Sequence, residues 1–136
     1  MAIVDANVAL AWALPSVRTE AALNLLARPG ALVAPDLIIH EIANALWLMV
    51  RQGVMHPGDA GAALDDALAP FSLIAPGRDL AGRALDIAVE LGHPAYDCFY
   101  LALAESRDDI LVTLDARLIR ACQDTPFQAR VDNLAV

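Results

Sequence analysis

The stretch Ala-Ile-Val-Asp at residues 2–5 is a short apolar run that ends at an aspartate, and Ile-Leu-Val-Thr-Leu-Asp at residues 110–115 has the same pattern. Similar apolar runs lie at 31–34 and 71–75, and residues 128–131 are expected to add a last edge strand. Continuous apolar runs without alternating polar residues are typical of parallel strands that helices cover on both faces. The sequence therefore predicts an α/β protein, a three-layer α/β/α sandwich with a short, mostly parallel central sheet.

Amphipathic helix patterns separate the apolar runs, and their boundaries fall at capping residues, glycines and prolines. Ser16 is expected to cap the first helix, which stops at Pro29 and Gly30. The remaining predicted helices cover residues 37–52, 59–68, 79–91, 96–105 and 116–122. The 136 residues show no linker, repeat or low-complexity segment, so we expect one domain over residues 1–136.

Composition limits the classes of protein to which this chain can belong. Hydrophobic residues make up 58% and charged residues 19%, which is typical of a folded core and excludes disorder. All nine basic residues are arginine, so mechanisms that need a lysine, such as a Walker-type phosphate loop or a Schiff base, are excluded. The 17 acidic residues give a formal charge of -8.

The chain is expected to act in the cytoplasm and away from membranes. Asp5 interrupts the first apolar run and no basic segment precedes it, unlike in a signal peptide. The most apolar stretch, residues 42–50, is too short to span a bilayer. Cys98 and Cys122 have neither disulfide nor metal-ligand spacing, and we expect both to be buried thiols in a reducing compartment.

Four acidic residues occupy positions where an unpaired charge is costly. Asp5 and Asp115 each end a predicted strand, and ligands bind beyond the carboxyl ends of parallel strands, so both face one crevice if those strands are neighbours. Glu41 shares a helix face with apolar residues, and Asp97 opens a helix that is apolar almost all round. Lysine is absent, and no arginine lies within a helical turn of Asp5, Glu41 or Asp97, although Arg117 follows Asp115 closely. A hard divalent cation such as Mg²⁺ or Mn²⁺ is therefore the remaining candidate partner. Two such cations about 4 Å apart suit in-line hydrolysis of a phosphodiester.

Helix capping offers a second interpretation for three of these acids. Asp97 and Asp115 each stand at the start of a predicted helix, where a carboxylate can accept backbone N–H groups. Asp5 can cap a turn with help from Asn7. Glu41, inside an apolar helix face, has no capping role, and the joint placement of all four acids favours the metal interpretation.

Smaller polar groups near the acids are candidates for supporting roles. Thr113 precedes Asp115 by two positions, and its hydroxyl can hold a carboxylate or a water; the alternative is an ordinary β-branched strand residue. Asn7 is a candidate hydrogen-bond donor beside the metal ligands. Three histidines without metal spacing are interpreted as loop or surface residues, and two tryptophans as core or interface residues: His40, His56, His93, Trp12 and Trp47.

Four segments that contain these acids resemble the PIN-domain family. They are IVDANVALAW with Asp5, APDLIIHEIANAL with Glu41, HPAYDCFYLALAE with Asp97, and LVTLDARL with Asp115. The resemblance covers essentially the whole chain, and the combination of the four segments is specific, whereas one such acid would mean little. The small size, with no extra domain, is similar to that of VapC-type toxins of bacterial type II toxin–antitoxin modules.

The resemblance implies a Mg²⁺- or Mn²⁺-dependent ribonuclease that cuts single-stranded RNA, a homodimer, and a cognate antitoxin that blocks the acidic crevice. It assigns catalysis and metal binding to Asp5, Glu41, Asp97 and Asp115. Asn7 and Thr113 stand where the family places small polar residues that support the metal ligands. Two positions depart from the family pattern. Asn7 stands where Ser or Thr is common, and Arg117 stands where some members carry a further acid, so a second metal site is expected to be weak or to fill only with substrate.

Two functions from other classes stay open at this point. One is an aspartyl-phosphate phosphatase or receiver-like domain that uses Asp5, although receiver domains rely on a lysine and haloacid-dehalogenase-type phosphatases need an aspartate where Asn7 stands. The other is a catalytically inactive α/β interaction module whose acids only cap helices. The charge of -8 opposes tight binding of RNA, and it suits a basic partner such as an arginine-bearing antitoxin tail.

Overall fold

The computed structural model describes residues 1–134, in which five strands and seven α-helices alternate. The strands are β1 (Ala2–Val4), β2 (Leu32–Pro35), β3 (Leu73–Ala75), β4 (Leu111–Thr113) and β5 (Val131–Asn133). The helices are α1 (Ala6–Ala13), α2 (Thr19–Ala27), α3 (Leu37–Arg51), α4 (Ala60–Leu68), α5 (Ala81–Leu91), α6 (Ala95–Ser106) and α7 (Ala116–Cys122). Short 3₁₀ helices lie at Pro57–Asp59, Gly77–Asp79 and Pro126–Arg130.

The five strands form one sheet in the order β3-β2-β1-β4-β5, and every neighbouring pair is parallel. β1 lies in the middle, with Ile3 opposite Val33 of β2 on one side and Leu111 of β4 on the other. The carboxyl ends of β1 and β4 therefore lie side by side. This confirms that the first apolar run and the run before Asp115 are neighbours, which the single-crevice prediction required.

Helices flank the sheet and bury its apolar strands. α1 packs against α2, α3, α4 and β4, and α3 packs against α4 and β2. α6 packs against α5 and against β1, β2 and β4. Ile3 from the sheet, Ile38 from α3 and Leu101 from α6 are fully buried, so the core has contributions from each layer. The predicted α/β architecture with a short parallel central sheet is confirmed.

α1 is an element that the sequence pattern did not predict. Its eight residues, ANVALAWA, are buried on most sides, so no amphipathic stripe marks them as a helix. Asp5 begins this helix, because its Oδ1 accepts the Ala6 backbone N–H at 2.7 Å. Trp12 near the other end donates from Nε1 to a backbone carbonyl of α4 at 3.1 Å and packs on Phe71, which places it in the core as one interpretation predicted.

Two predicted boundaries are wrong. α2 does not begin directly after Ser16, because the Ser16 hydroxyl accepts the Arg18 N–H at 3.1 Å and closes a turn before the helix starts at Thr19. Residues 128–131 are not the last strand, because Pro126–Arg130 forms a 3₁₀ helix and β5 follows it. The edge position of β5, paired with β4, agrees with the prediction.

Three smaller predictions concern burial. Cys98 and Cys122 are free, buried thiols, and burial raises the pKa of each to about 11. Trp47 lies on α3 with 56% of its surface exposed, which excludes the core interpretation for this residue.

Within residues 1–134, the helices are all too short or too polar to cross a membrane.

Candidate active site

Asp5 lies where β1 ends and α1 begins, and only 4% of its surface is exposed. Its Oδ1 accepts the Ala6 N–H, and its Oδ2 accepts the hydroxyl of Thr113, at the end of β4, at 2.7 Å. The same hydroxyl oxygen accepts the backbone N–H of Asp115 at 3.0 Å. Thr113 therefore holds a carboxylate, which is one of the roles that its position suggested.

Glu41 reaches the site from α3, between the buried residues Ile38 and Ile42 of the same helix. Its Oε1 accepts the hydroxyl of Tyr100, from α6, at 2.5 Å. Tyr100 is fully buried, and a buried tyrosine hydroxyl needs a hydrogen-bond partner. This bond fixes one oxygen of Glu41 and links α3 to α6 at the site.

Asp97 lies in the first turn of α6, and its Oδ2 contacts Nε2 of His93 at 2.6 Å. His93 belongs to the turn between α5 and α6, which Gly92 makes possible through a left-handed backbone with φ of 63°. The capping interpretation of Asp97 is wrong, because Pro94 holds the capping position and the carboxylate binds a side chain instead. His93 lies in a turn, as the loop interpretation predicted, but only 9% of its side chain is exposed, so it is not a surface residue.

The three carboxylates of Asp5, Glu41 and Asp97 act on one another. Burial raises the pKa of Asp5 from 3.8 to about 7, the charges of Glu41 and Asp97 add to the rise, and hydrogen bonds from Thr113 and the backbone oppose it. Burial also raises the pKa of Glu41, where the hydrogen bond from Tyr100 lowers it and the charge of Asp97 adds to the increase. Repulsion of this kind between partly buried carboxylates is relieved by a cation or by protons.

Asp115 and Asn7 have structural partners of their own. Asp115 caps α7, because its Oδ1 accepts two backbone N–H groups of the first turn at 2.9 and 3.4 Å, as the capping interpretation predicted. It is linked to Asp5 through the Thr113 hydroxyl. Asn7 accepts the Leu114 N–H on its Oδ1 at 3.3 Å and so ties α1 to the end of β4. The metal-binding role of Asp115 stays a prediction.

The donor atoms of the cluster suit a hard divalent cation, because they are carboxylate oxygens brought together from three separate elements. Asp5, Glu41 and Asp97 also repel one another, and a double positive charge would offset that repulsion. Within residues 1–134, no three His, Cys, Asp or Glu side chains already stand in the arrangement of a metal site.

Glu41 and Asp97 line an open groove of about 400 Å³ between α3 and the start of α6. The remaining lining residues come from the same two regions of the chain: Leu37, His40, Asn44, Pro94 and Tyr96. The groove gives an extended ligand access to two of the three clustered carboxylates.

Sequence reasoning missed two residues of the site, Tyr100 and His93. Tyr100 follows Asp97 by three positions in a helix that is apolar nearly all round, so its hydroxyl had to find a buried polar partner. His93 precedes Asp97 by four positions, a spacing at which side chains can meet. Tyr100 could have been found from the sequence, because a hydroxyl in a buried helix needs a hydrogen-bond acceptor. Glu41, the acid with no capping role, was the available acceptor.

Thr113→Val is expected to destabilise the metal-free protein by about 1–3 kcal/mol at pH 8, since Asp5 loses a donor and the N–H of Asp115 loses its acceptor. Thr113→Ser keeps the hydroxyl and is expected to cost about 1 kcal/mol for the lost methyl group. Urea unfolding of the three proteins in chelator measures both effects. A valine variant as stable as the original protein would contradict the bridging role of Thr113.

The fold and the site together define a class: α/β/α proteins with clustered carboxylates at the carboxyl edge of a parallel sheet. The family model of the PIN domain matches residues 2–123, a range that includes all four predicted acids. The chain therefore belongs to the PIN-domain family, and the resemblance seen in the sequence is confirmed.

Known relatives and one solved structure are similar to this chain. Ribonuclease VapC3 of Pyrobaculum aerophilum is 30% identical over 118 residues, which are 85% of this chain and 90% of that protein. Exonuclease VapC9 of the same organism is 37% identical over 84 residues, 61% of each chain. A toxin–antitoxin complex from Klebsiella pneumoniae contains a chain with the same fold, with a TM-score of 0.67, 18% identity and 98% of both chains covered.

Proposed function

We propose that this protein is a divalent-metal-dependent ribonuclease that cleaves single-stranded RNA at internal phosphodiester bonds, and that it acts as the toxin of a toxin–antitoxin pair in the cytoplasm. Membership of the PIN-domain family and the likeness to a protein named ribonuclease VapC3 support a nuclease. The observation that carries the proposal is the cluster of Asp5, Glu41 and Asp97. Their charges interact, although they are far apart in the sequence.

The cation, Mg²⁺ or Mn²⁺, would be held by Asp5, Glu41 and Asp97, with Asp115 as a further proposed ligand. When bound, it supplies positive charge to the phosphate and favours deprotonation of water. The net charge of -8 makes this contribution important, because the protein has few cations of its own to place beside a phosphodiester.

The residues of the chain prepare this site before substrate arrives. Thr113 holds Asp5 from β4, Tyr100 holds Glu41 from α6, and His93 holds Asp97 from the preceding turn. These hydrogen bonds restrict each carboxylate, and partial burial strengthens its interaction with a cation. Hydrolysis in which the 3′ oxygen leaves gives fragments with 5′ phosphate and 3′ hydroxyl ends.

An aspartyl-phosphate function has less support. A nucleophilic aspartate needs an oxygen that can reach the phosphorus, but Asp5 is 4% exposed and both of its oxygens accept hydrogen bonds. Asn7, where an acid would be needed, accepts a backbone N–H of the chain. The inactive interaction module remains as an alternative that the metal experiment below separates.

The proposed partners are a second copy of the chain and a basic antitoxin segment. The excess of acidic residues over arginines favours a positively charged partner, and the groove beside Glu41 and Asp97 is open to one. The likeness in fold to a chain of the Klebsiella pneumoniae toxin–antitoxin complex agrees with this proposal. Light scattering of the pure protein tests the homodimer, which a monomeric mass would exclude.

Removal of divalent metal is expected to reduce cleavage of single-stranded RNA to background, and Mg²⁺ or Mn²⁺ is expected to restore it. The measurement combines a chelator titration with sequencing of the RNA ends, and a circular single-stranded RNA serves as a second substrate. Opening of the circle supports internal cleavage, whereas release of nucleotides from linear RNA alone contradicts it. Cleavage that persists in chelator, or no cleavage with either metal, contradicts the proposal as a whole.

A further inference from the structure

Tyr96 is an exposed aromatic residue beside the acidic site. It lies in the first turn of α6, next to Asp97, with 68% of its surface exposed. It lines the same groove as Glu41 and Asp97. Tyr100, four positions further along the same helix, is fully buried, so α6 has one tyrosine in the core and one at the groove.

The groove has little positive charge with which to bind a nucleic acid. His40 is the one basic side chain that lines it within the described part of the chain, while two carboxylates face the same space. Affinity for nucleic acids usually comes from Lys and Arg at phosphates. Apart from the proposed cation, this groove offers little positive charge to RNA phosphates, so a contribution that does not depend on phosphate charge is favoured.

Stacking of a base on an aromatic ring is such a contribution. It is tolerant of sequence, because every base has an aromatic face. The apolar surfaces of Leu37 and Pro94 line the groove with Tyr96, and Asn44 offers polar atoms to a base edge. A base inside a duplex is already stacked on its neighbours, so this contact is available to an unpaired base.

We propose that Tyr96 stacks on an unpaired nucleobase of the substrate, next to the phosphate at the acidic site, and gives the enzyme its preference for single-stranded RNA. This inference rests on the proposed ribonuclease function. Tyr96 is thus a binding residue whose ring, rather than its hydroxyl, contacts RNA.

Tyr96→Ala is expected to raise KM for a single-stranded RNA by about 5- to 150-fold, the range of one lost stacking contact, with a smaller effect on kcat. Tyr96→Phe keeps the ring and is expected to retain the KM of the original protein. Trp47→Ala is the matched control, because Trp47 is also an exposed aromatic residue but lies outside the groove lining.

A substrate series with one abasic nucleotide tests the same contact from the RNA side. In this series the abasic nucleotide occupies each position of the RNA in turn. When it lies next to the cleaved bond, it is expected to raise KM for the original protein and to cause no further increase in KM for Tyr96→Ala. Equal sensitivity of both proteins at every position would overturn the stacking role.

The outcomes separate this inference from the proposed function. If the original protein cleaves RNA and Tyr96→Ala has an unchanged KM, the stacking role is wrong and the ribonuclease function stands. If the original protein cleaves no RNA with either metal, the proposed function fails first, and the inference fails with it. A large effect of Tyr96→Phe, similar to that of alanine, would assign the role to the hydroxyl and contradict stacking.

Discussion

Replacing Asp5 with asparagine is expected to abolish RNA cleavage and also to make the metal-free protein more stable at pH 8. Asp5 is one of the carboxylates proposed to hold the metal, and burial disfavours its ionised form, raising its pKa to about 7. Asparagine has nearly the same shape, and its side-chain oxygen can accept the Ala6 N–H while its amide donates to the hydroxyl oxygen of Thr113. The contact between α1 and β4 is therefore expected to persist, with the direction of the hydrogen bond to Thr113 reversed.

The gain in stability follows from the sign of the pKa change. The pKa of Asp5 is about 7 in the folded protein and 3.8 for a free aspartate side chain, so the folded state binds this proton more tightly. A carboxyl group with a raised folded pKa costs stability as pH rises through the interval between the two values, from about 4 to 7. Above that interval the cost is about 4 kcal/mol, and asparagine removes it.

Urea unfolding in chelator, repeated between pH 4 and pH 8, measures the free energy of unfolding of both proteins. The advantage of Asp5→Asn is expected to be largest at pH 8 and to disappear near pH 4. Asp66→Asn, at an exposed position of α4, makes the same charge change and is expected to show no such dependence. Full cleavage by Asp5→Asn, or a stability difference that does not change with pH, would contradict the proposed role of Asp5.

The strands of the sheet could be predicted from the sequence because they are buried on both faces and therefore appear as continuous apolar runs. Continuous apolar runs ended by Asp5, Pro35 or Pro76 marked β1, β2 and β3 without help from tertiary structure. α1 was missed for the same physical reason, since a helix buried on most sides has no polar face to produce a period. The position of β5 could not be read from apolar character, because its sequence, VDN, has little.

The acids of the site could be predicted, whereas their hydrogen-bond partners could not. Asp5 and Glu41 were marked by position alone, at a strand end and inside an apolar helix face. The bond from Tyr100 to Glu41 depends on how α3 and α6 lie relative to each other, which no local pattern specifies. Capping and metal binding are also not exclusive alternatives, because Asp5 caps α1 and belongs to the carboxylate cluster at the same time.

Tyr100→Phe is expected to weaken Mn²⁺ binding by about 10- to 100-fold while the protein stays folded, because it removes the hydroxyl that fixes Glu41. Phenylalanine fills the buried space of the ring, so the change is confined to the hydrogen bond. Tyr100 is a positioning residue in this scheme, acting on the metal through Glu41.

The pH dependence distinguishes positioning from a structural role. The hydrogen bond from Tyr100 lowers the pKa of Glu41, so its loss raises that pKa further, and proton competition for the carboxylate extends to higher pH. Calorimetric titration of Mn²⁺ at several pH values is expected to show the onset of binding moved to higher pH in Tyr100→Phe. Ser106→Ala removes a hydroxyl from the far end of the same helix, where it donates to the Leu103 carbonyl, and is the matched control. A Tyr100→Phe protein that melts earlier but keeps the affinity and pH profile of the original protein would show that the tyrosine supports the fold alone.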